Sequence, residues 1–241
     1  MLVLALDSST RIGSLALALD GRILESRLGD PTVRQAIRLP GDLVALLAAH
    51  GYVLADVDLF AAAAGPGGFT GLRVGLATMQ GLAMALDRRV YLASTLELLG
   101  VAGRTARPEA RWIGTWMQGM RGEVFTALYV AAAEPQGLVA ILDPLVGTPD
   151  EAADAWRDAA PAGPIVVVGD AWPDAGEPLR ARFGAALDPV VVPVLAEVLA
   201  LQAGTRSAEA VAPAAIRPAY VRRPDAVLTR LQAGLPVSGD V

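Results

Sequence analysis

The segment Gly65-Pro66-Gly67-Gly68-Phe69-Thr70-Gly71-Leu72-Arg73-Val74-Gly75 constrains this chain more than any other. The apolar run 59–64 before it reads as the end of a buried strand begun at Val57, and 70–86 reads as a helix. Glycine has no Cβ and accepts positive φ, so a glycine-rich strand-to-helix turn brings backbone close to something else. That object is an anion at the helix N-terminus or another packed element. The segment lacks the Lys-Ser/Thr end of a phosphate-gripping P-loop. Gly71 and Gly75 lie one helical turn apart on one face, and Thr78 and Leu82 continue the stripe. Such a face fits a partner helix or the chain's own sheet. Arg73 points off the stripe, toward a carboxylate or phosphate, or into solvent.

The elements around this segment set its context. Leu2 to Leu6 reads as a buried strand ending at Asp7, followed by the polar turn Ser8-Ser9-Thr10. Ile12 to Leu19 alternates as a second strand, and Asp20-Gly21 is a two-residue hairpin signal leading into a third, Ile23 to Leu28. Val33 to His50 reads as a helix broken or restarted at Pro40-Gly41, with Asp42 as N-cap. A short strand over Val90–Leu92 precedes a third helix opened by Ser94 and Glu97 at capping-box spacing. Three antiparallel strands, then helix, strand, helix, strand, helix, is the ribonuclease-H-like order of the actin, Hsp70 and sugar-kinase superfamily.

Gly103 to Glu109 is a polar break and the expected domain boundary. Strands then return over Trp112–Trp116 and Glu123–Val130, with a helix over Asp150–Ala159, a strand over Ile165–Val168 and a helix from Val194 to Ala203 after Pro193. The second half reads as a reduced copy of the first. The expected organisation is therefore an α/β, actin-like and Hsp70-like fold with two mixed sheets. Its parts are an N-terminal subdomain over 1–103, a reduced C-terminal subdomain over 104–212, and an extended tail over 213–241, disordered beyond Arg230.

Composition removes several chemistries. The chain has no cysteine and a single histidine, His50, which excludes thiol nucleophiles and any site needing two histidines. His50 stands just before Gly51 and reads as a helix C-terminal cap. No Ser–His–Asp set can be assembled around another base. The net charge is −5, with four each of Trp, Tyr and Phe, so a role on RNA would run through a partner. The longest uncharged run, 59–72, is shorter than the roughly twenty residues of a membrane span. The N-terminus lacks the basic start of a signal peptide. The reading is a cytoplasmic, soluble protein with no membrane partner and no cofactor.

An actin-like clamp grips phosphate and magnesium between two turns, each with an acidic residue. Asp7, with Ser9 and Thr10, sits at the first turn and is either such a ligand or a residue capping the turn. The second turn carries Gln118, which cannot ionise. Half of a clamp is missing, which argues against ATP hydrolysis by this chain alone. Glu123 reads as an exposed charge at a strand edge.

These residues together resemble the TsaB family, also called YeaZ, the bacterial accessory proteins for making threonylcarbamoyladenosine in tRNA. The resemblance is carried by Leu4 to Thr10, Gly65 to Gly75, Gln80-Gly81-Leu82-Ala83, Ser94-Thr95-Leu96, Arg121 to Phe125 and Pro218-Ala219-Tyr220-Val221-Arg222. The chain departs from the family at Gly68, where a Ser is usual, at Gln35, where a His is common, and at Gln118-Gly119-Met120, where Asp-Ala-Arg is usual. The resemblance implies an ASKHA fold without catalysis and a non-catalytic subunit of the complex that modifies adenosine 37 of tRNA. Implied partners are a TsaD-type catalytic subunit and a TsaE-type ATPase, with a homodimer when alone and tRNA reached only through the complex. TsaD itself binds metal through a His-x-x-x-His pair, which this chain lacks. The implied partner surface is the helix after the glycine motif: Phe69, Gly71, Arg73, Gly75, Thr78 and Leu82. The alternatives are a degenerate actin-like ATPase or kinase, a glycoprotease-like peptidase, or a homodimeric scaffold outside tRNA modification.

Overall fold

The computed structural model describes residues 1–132, 137–159, 163–192, 194–219 and 221. Among them the strands form two five-stranded sheets. The first has the order β3-β2-β1-β4-β5, built from β1 (Leu2–Asp7), β2 (Ser14–Leu19), β3 (Arg22–Leu28), β4 (Leu59–Gly65) and β5 (Arg89–Ser94). The second comprises β6 (Trp112–Gln118), β7 (Val124–Ala131), β8 (Leu138–Gly147), β9 (Ile165–Val168) and β10 (Leu187–Val190). Its order, β10-β9-β6-β7-β8, is the same path. In each sheet an antiparallel meander is extended by two strands parallel to the first. The expected actin-like fold is realised, and the second copy keeps all five strands. Its strands β9 and β10 are short, four residues each, and its outer helices are shorter than those of the first half.

Helices complete a five-layer stack. Outside the first sheet lie α1 (Gln35–Ala49) and α2 (Phe69–Ala85). Between the sheets lie α3 (Thr95–Ala106) and α7 (Leu195–Thr205). Outside the second sheet lies α4 (Pro149–Ala159), with the short α5 (Trp172–Ala175) and α6 (Glu177–Phe183). Both faces of each sheet are covered, so β1 and β4 are buried at every position. Leu2, Leu4 and Leu6 point to the outer helices, while Val3, Ala5, Ala61 and Ala63 point to the middle layer. Those alanines let α7 lie close against the sheet with Leu195, Ala196, Leu199 and Ala203. The middle core joins residues of both sheets, so the two halves share one hydrophobic interior.

Several local expectations change. Helix α1 runs unbroken through Pro40. Pro40 lies on the exposed side, where water can serve the carbonyl that its missing N–H leaves. Asp42 is not a cap; it pairs with Arg38 at 2.6 Å one turn away. Ser94 does precede α3, yet its side chain makes no capping bond, and the Glu97 carboxylate pairs with Arg206 at 2.8 Å. The expected boundary at 103–109 is partly helical: α3 continues to Ala106, with Gly103 buried against Ile113 and Val168. The strand β8 and the helices α5 and α6 have no counterpart in the sequence reading. Pro193 and the stretch beyond Arg230 fall outside the described residues.

Candidate functional site

The C-terminal ends of β1 and β6 face each other across a cleft of about 1060 Å³. Asp7, Ser9 and Thr10 line one wall, and Gln118, Gly119 and Met120 the other. Asp7 is buried, and its carboxylate is already engaged. The Ser9 N–H and hydroxyl donate to Oδ1, and the Thr10 hydroxyl donates to Oδ2 at 2.8 Å. Burial pushes this carboxyl above its ordinary value, and the bonds from Ser9 and Thr10 offset part of the shift. The turn is thus closed on its own acid, which is the capping arrangement. The hydroxyl donors of Ser9 and Thr10 are spent inside the chain.

The opposite wall has no acid at the strand end, because Gln118 stands where β1 has Asp7. The Gln118 backbone N–H donates to Asp170 Oδ1 at 2.8 Å. Asp170 and Asp174 line the cleft as well, and neither was singled out from the sequence. The available signal was positional: Gly169-Asp170 follows β9 where Gly65-Pro66 closes β4. Gly169 is obligatory, at φ +152 with the Trp116 carbonyl oxygen 2.0 Å from where a Cβ would sit. The chain contains no lysine, so no ammonium can serve a phosphate here. Among the described residues no three His, Asp or Glu side chains converge as metal ligands.

The glycine motif packs inward. A Cβ on Gly67 would lie 2.4 Å from the Ser9 carbonyl oxygen, and one on Gly71 2.7 Å from that of Ser8. A Cβ on Gly75 would lie 1.9 Å from Ser8 Oγ. The Gly68 N–H donates to the Ser9 carbonyl at 2.9 Å. The stripe therefore beds α2 on the β1–β2 turn, where the phosphate grip of an ATPase would be. Of the four small or apolar residues expected on a partner-facing stripe, the two glycines thus lie against the chain itself, and the other two are partly exposed. Gly71 and Gly75 face the chain's own turn. Thr78 is half-buried and donates to the Val74 carbonyl at 2.8 Å, and Leu82 packs on the outer core.

The outward face of α2 is a different stripe: Phe69, Arg73, Ala77, Gly81 and Met84. The Arg73 guanidinium stacks on the Phe69 ring at 3.9 Å from its centroid. A Cβ on Gly81 would meet nothing within 4 Å. Helix α1, packed beside α2, exposes Ile37, Gly41, Val44, Ala45 and Ala48. The exposures of Ile37 (72%), Val44 (52%), Phe69 (48%) and Met84 (64%) mark this as an apolar outer surface with small residues among the large ones.

His50 caps α1 as expected, and its Nε2 lies 2.8 Å from Glu25 Oε2. It does not line the cleft, so the one imidazole is not a base for the carboxylates or hydroxyls there. No described helix is long and apolar enough to cross a membrane.

Comparison with known proteins gives consistent results. The family model for TsaD, tRNA N6-adenosine threonylcarbamoyltransferase, matches residues 36–140. An uncharacterised protein of Mycobacterium tuberculosis is 31% identical over 229 residues, covering 93% of both chains. The tRNA threonylcarbamoyladenosine biosynthesis protein TsaB of Escherichia coli is 31% identical over 129 residues, 54% of this chain and 55% of that protein. The structure of YeaZ from Pseudomonas aeruginosa superposes with a TM-score of 0.72 at 30% identity, covering 91% of this chain and 99% of that one. At the level of fold alone, the (R)-2-hydroxyglutaryl-CoA dehydratase component A of Acidaminococcus fermentans aligns with a TM-score of 0.54 at 10% identity.

Proposed function

The chain belongs to the TsaB/YeaZ family, and on that premise we propose that it is a non-catalytic subunit for threonylcarbamoyladenosine formation at adenosine 37 of tRNA. In this reading it docks on a TsaD-type threonylcarbamoyltransferase through the outer faces of α1 and α2. A TsaE-type ATPase joins the complex, and tRNA is met only there. When alone the chain pairs with itself through the same face.

The observation that carries the reading is the contrast between the two candidate sites. The cleft turn is closed: Ser9 and Thr10 donate to Asp7, and Gly68 donates to Ser9. The helix face is open: Ile37, Val44, Phe69 and Met84 are exposed together on an outer layer. Ala77 and Gly81 on α2, and Gly41 and Ala45 on α1, let a partner's helix axes approach closely, while the larger side chains around them supply apolar area. Chemistry is then left to the partner, and this subunit holds it in an active arrangement.

The test is co-purification of the chain with its threonylcarbamoyltransferase subunit. Ile37→Glu and Met84→Glu should each release the partner while leaving the thermal transition unchanged. Retention of the partner by both variants would sink the proposed face. Loss of threonylcarbamoyladenosine from tRNA on deletion of the gene would support the pathway, and its persistence would leave only a scaffold outside tRNA modification. The competing reading, a residual ATPase or kinase, rests on the remaining cleft with its Asp7, Asp170 and Asp174. ATP turnover with magnesium that disappears in Asp7→Ala would favour it.

A further inference from the structure

The C-terminal motif Pro218-Ala219-Tyr220-Val221-Arg222 has so far no role. We infer that residues 211–219 are a brace that positions the docking helix α2, and that this segment and the glycine motif work as one device. The inference rests on the docking role proposed above and adds what sets the shape of that surface.

After α7 the chain returns across the first sheet. Val211 and Val90 exchange backbone hydrogen bonds at 2.9 and 3.0 Å, so the segment covers the free edge of β5. The Gln80 side-chain amide, on α2, donates to the Pro213 carbonyl at 2.7 Å. Ile216 is buried in the outer core beside Leu72, Leu76, Met79 and Ala83 of α2. Arg217 ties the segment to itself, donating to the carbonyls of Ala214 and Ile216 at 2.8 Å each. The Ala219 N–H then donates to the Ala64 carbonyl at 2.7 Å, at the residue before the glycine motif. Gly65 answers this contact: at φ +112, a Cβ there would lie 2.9 Å from both the Ala219 oxygen and Leu72 Cδ2. Val221 continues onto the core between the sheets.

Helix α2 needs such support. It carries three glycines, each costing about 1 kcal/mol relative to alanine in a helix interior. Its N-cap, Gly68, makes no side-chain cap, and its first turn has no acid to meet the helix dipole. Local propensity is therefore weak, and tertiary contacts hold the helix. With α1 on one flank and the brace on the other, α2 is fixed from both sides.

The experiment uses the full-length chain with Ile216→Asp, which drives a charge into the brace's buried contact, and Gln80→Leu, which deletes the donor to Pro213 at similar size. Amide exchange is followed across α2 and, as an internal control, across α4 on the far sheet. Both variants should speed exchange over 69–85 by about tenfold while α4 is unchanged. Affinity for the threonylcarbamoyltransferase subunit should fall by about tenfold in parallel, and Ile216→Val should restore both. Unchanged exchange in α2, or equal acceleration in α4, overturns the brace. Faster exchange in α2 at unaltered affinity overturns its link to docking. If the wild-type chain binds no such subunit, the functional reading fails, while the exchange measurement still decides the brace. Should Ile216→Asp not fold, Gln80→Leu carries the test.

Discussion

The two sheets follow the same path, yet their outer layers are built for different surroundings. Over the second sheet, α4 buries Ala152, Ala153 and Trp156 and turns charge outward. Arg182 bridges Asp154 at 2.8 Å and Asp150 at 3.1 Å, and Arg157 pairs with Asp154 at 2.9 Å. Over the first sheet, α1 and α2 bury their leucines and still leave Ile37, Val44, Phe69 and Met84 outside. The close approach differs too. In the second half the glycine is on the strand, where a Cβ on Gly114 would lie 2.0 Å from the Trp156 ring. In the first half the glycines are on the helix and the bed is the β1–β2 turn. One duplicated topology thus presents one charged outer layer and one with exposed apolar side chains, because topology fixes only which faces turn inward.

Four substitutions sharpen or break this contrast. Trp156→Ala removes one of the two fully buried tryptophans of the second outer core and should cost about 3–5 kcal/mol in denaturant unfolding. Its effect on partner affinity should be nil wherever the variant is folded. Gly75→Leu forces a side chain into Ser8 and should cost about 3 kcal/mol, read as a lower urea midpoint. A variant that kept its midpoint and lost only the partner would return Gly75 to the interface. Ile37→Glu should leave stability within about 0.5 kcal/mol and weaken partner binding about thirtyfold in a titration. Arg182→Ala, on the charged layer, should change stability by less than about 1 kcal/mol and leave binding as it was.

Asp7 gives a smaller effect whose sign is informative. Its folded-state pKa is raised above 3.8 by burial, so its contribution to stability is fully present below the unfolded value and is lost as pH rises through the folded one. Asp7→Asn should therefore match or exceed the wild-type Tm at pH 7, with the gap closing as pH approaches 3.8. A clear drop at pH 7 would mean that the hydrogen bonds from Ser9 and Thr10 to the carboxylate outweigh its burial.

The capping boxes show what was legible locally and what was not. Ser94 and Glu97 have the right spacing, yet Arg206, just after α7, takes the Glu97 carboxylate. Thr148 and Glu151 have the same spacing and do form the box. The Thr148 N–H donates to Glu151 Oε2 at 2.8 Å and the Glu151 N–H donates to Thr148 Oγ1 at 3.3 Å. The partner of the Glu97 carboxylate is a cation arriving from more than a hundred residues away, which no local pattern encodes. The hairpin at Asp20-Gly21 was legible because its requirement is local: φ is +50 and +76 at these two residues.

The sequence by itself determined the order of strands and helices in the first half, the closeness demanded by Gly65 to Gly75, and the absence of thiol or two-histidine chemistry. These follow from short-range sterics and from residue inventory. Only the tertiary structure decided what the glycines approach, which face of α2 looks outward, and that residues 211–219 reach back to the motif. A helix stripe of small residues satisfies the same steric rule against a partner or against its own sheet. In the fold, Gly71 and Gly75 approach Ser8 of the chain's own turn.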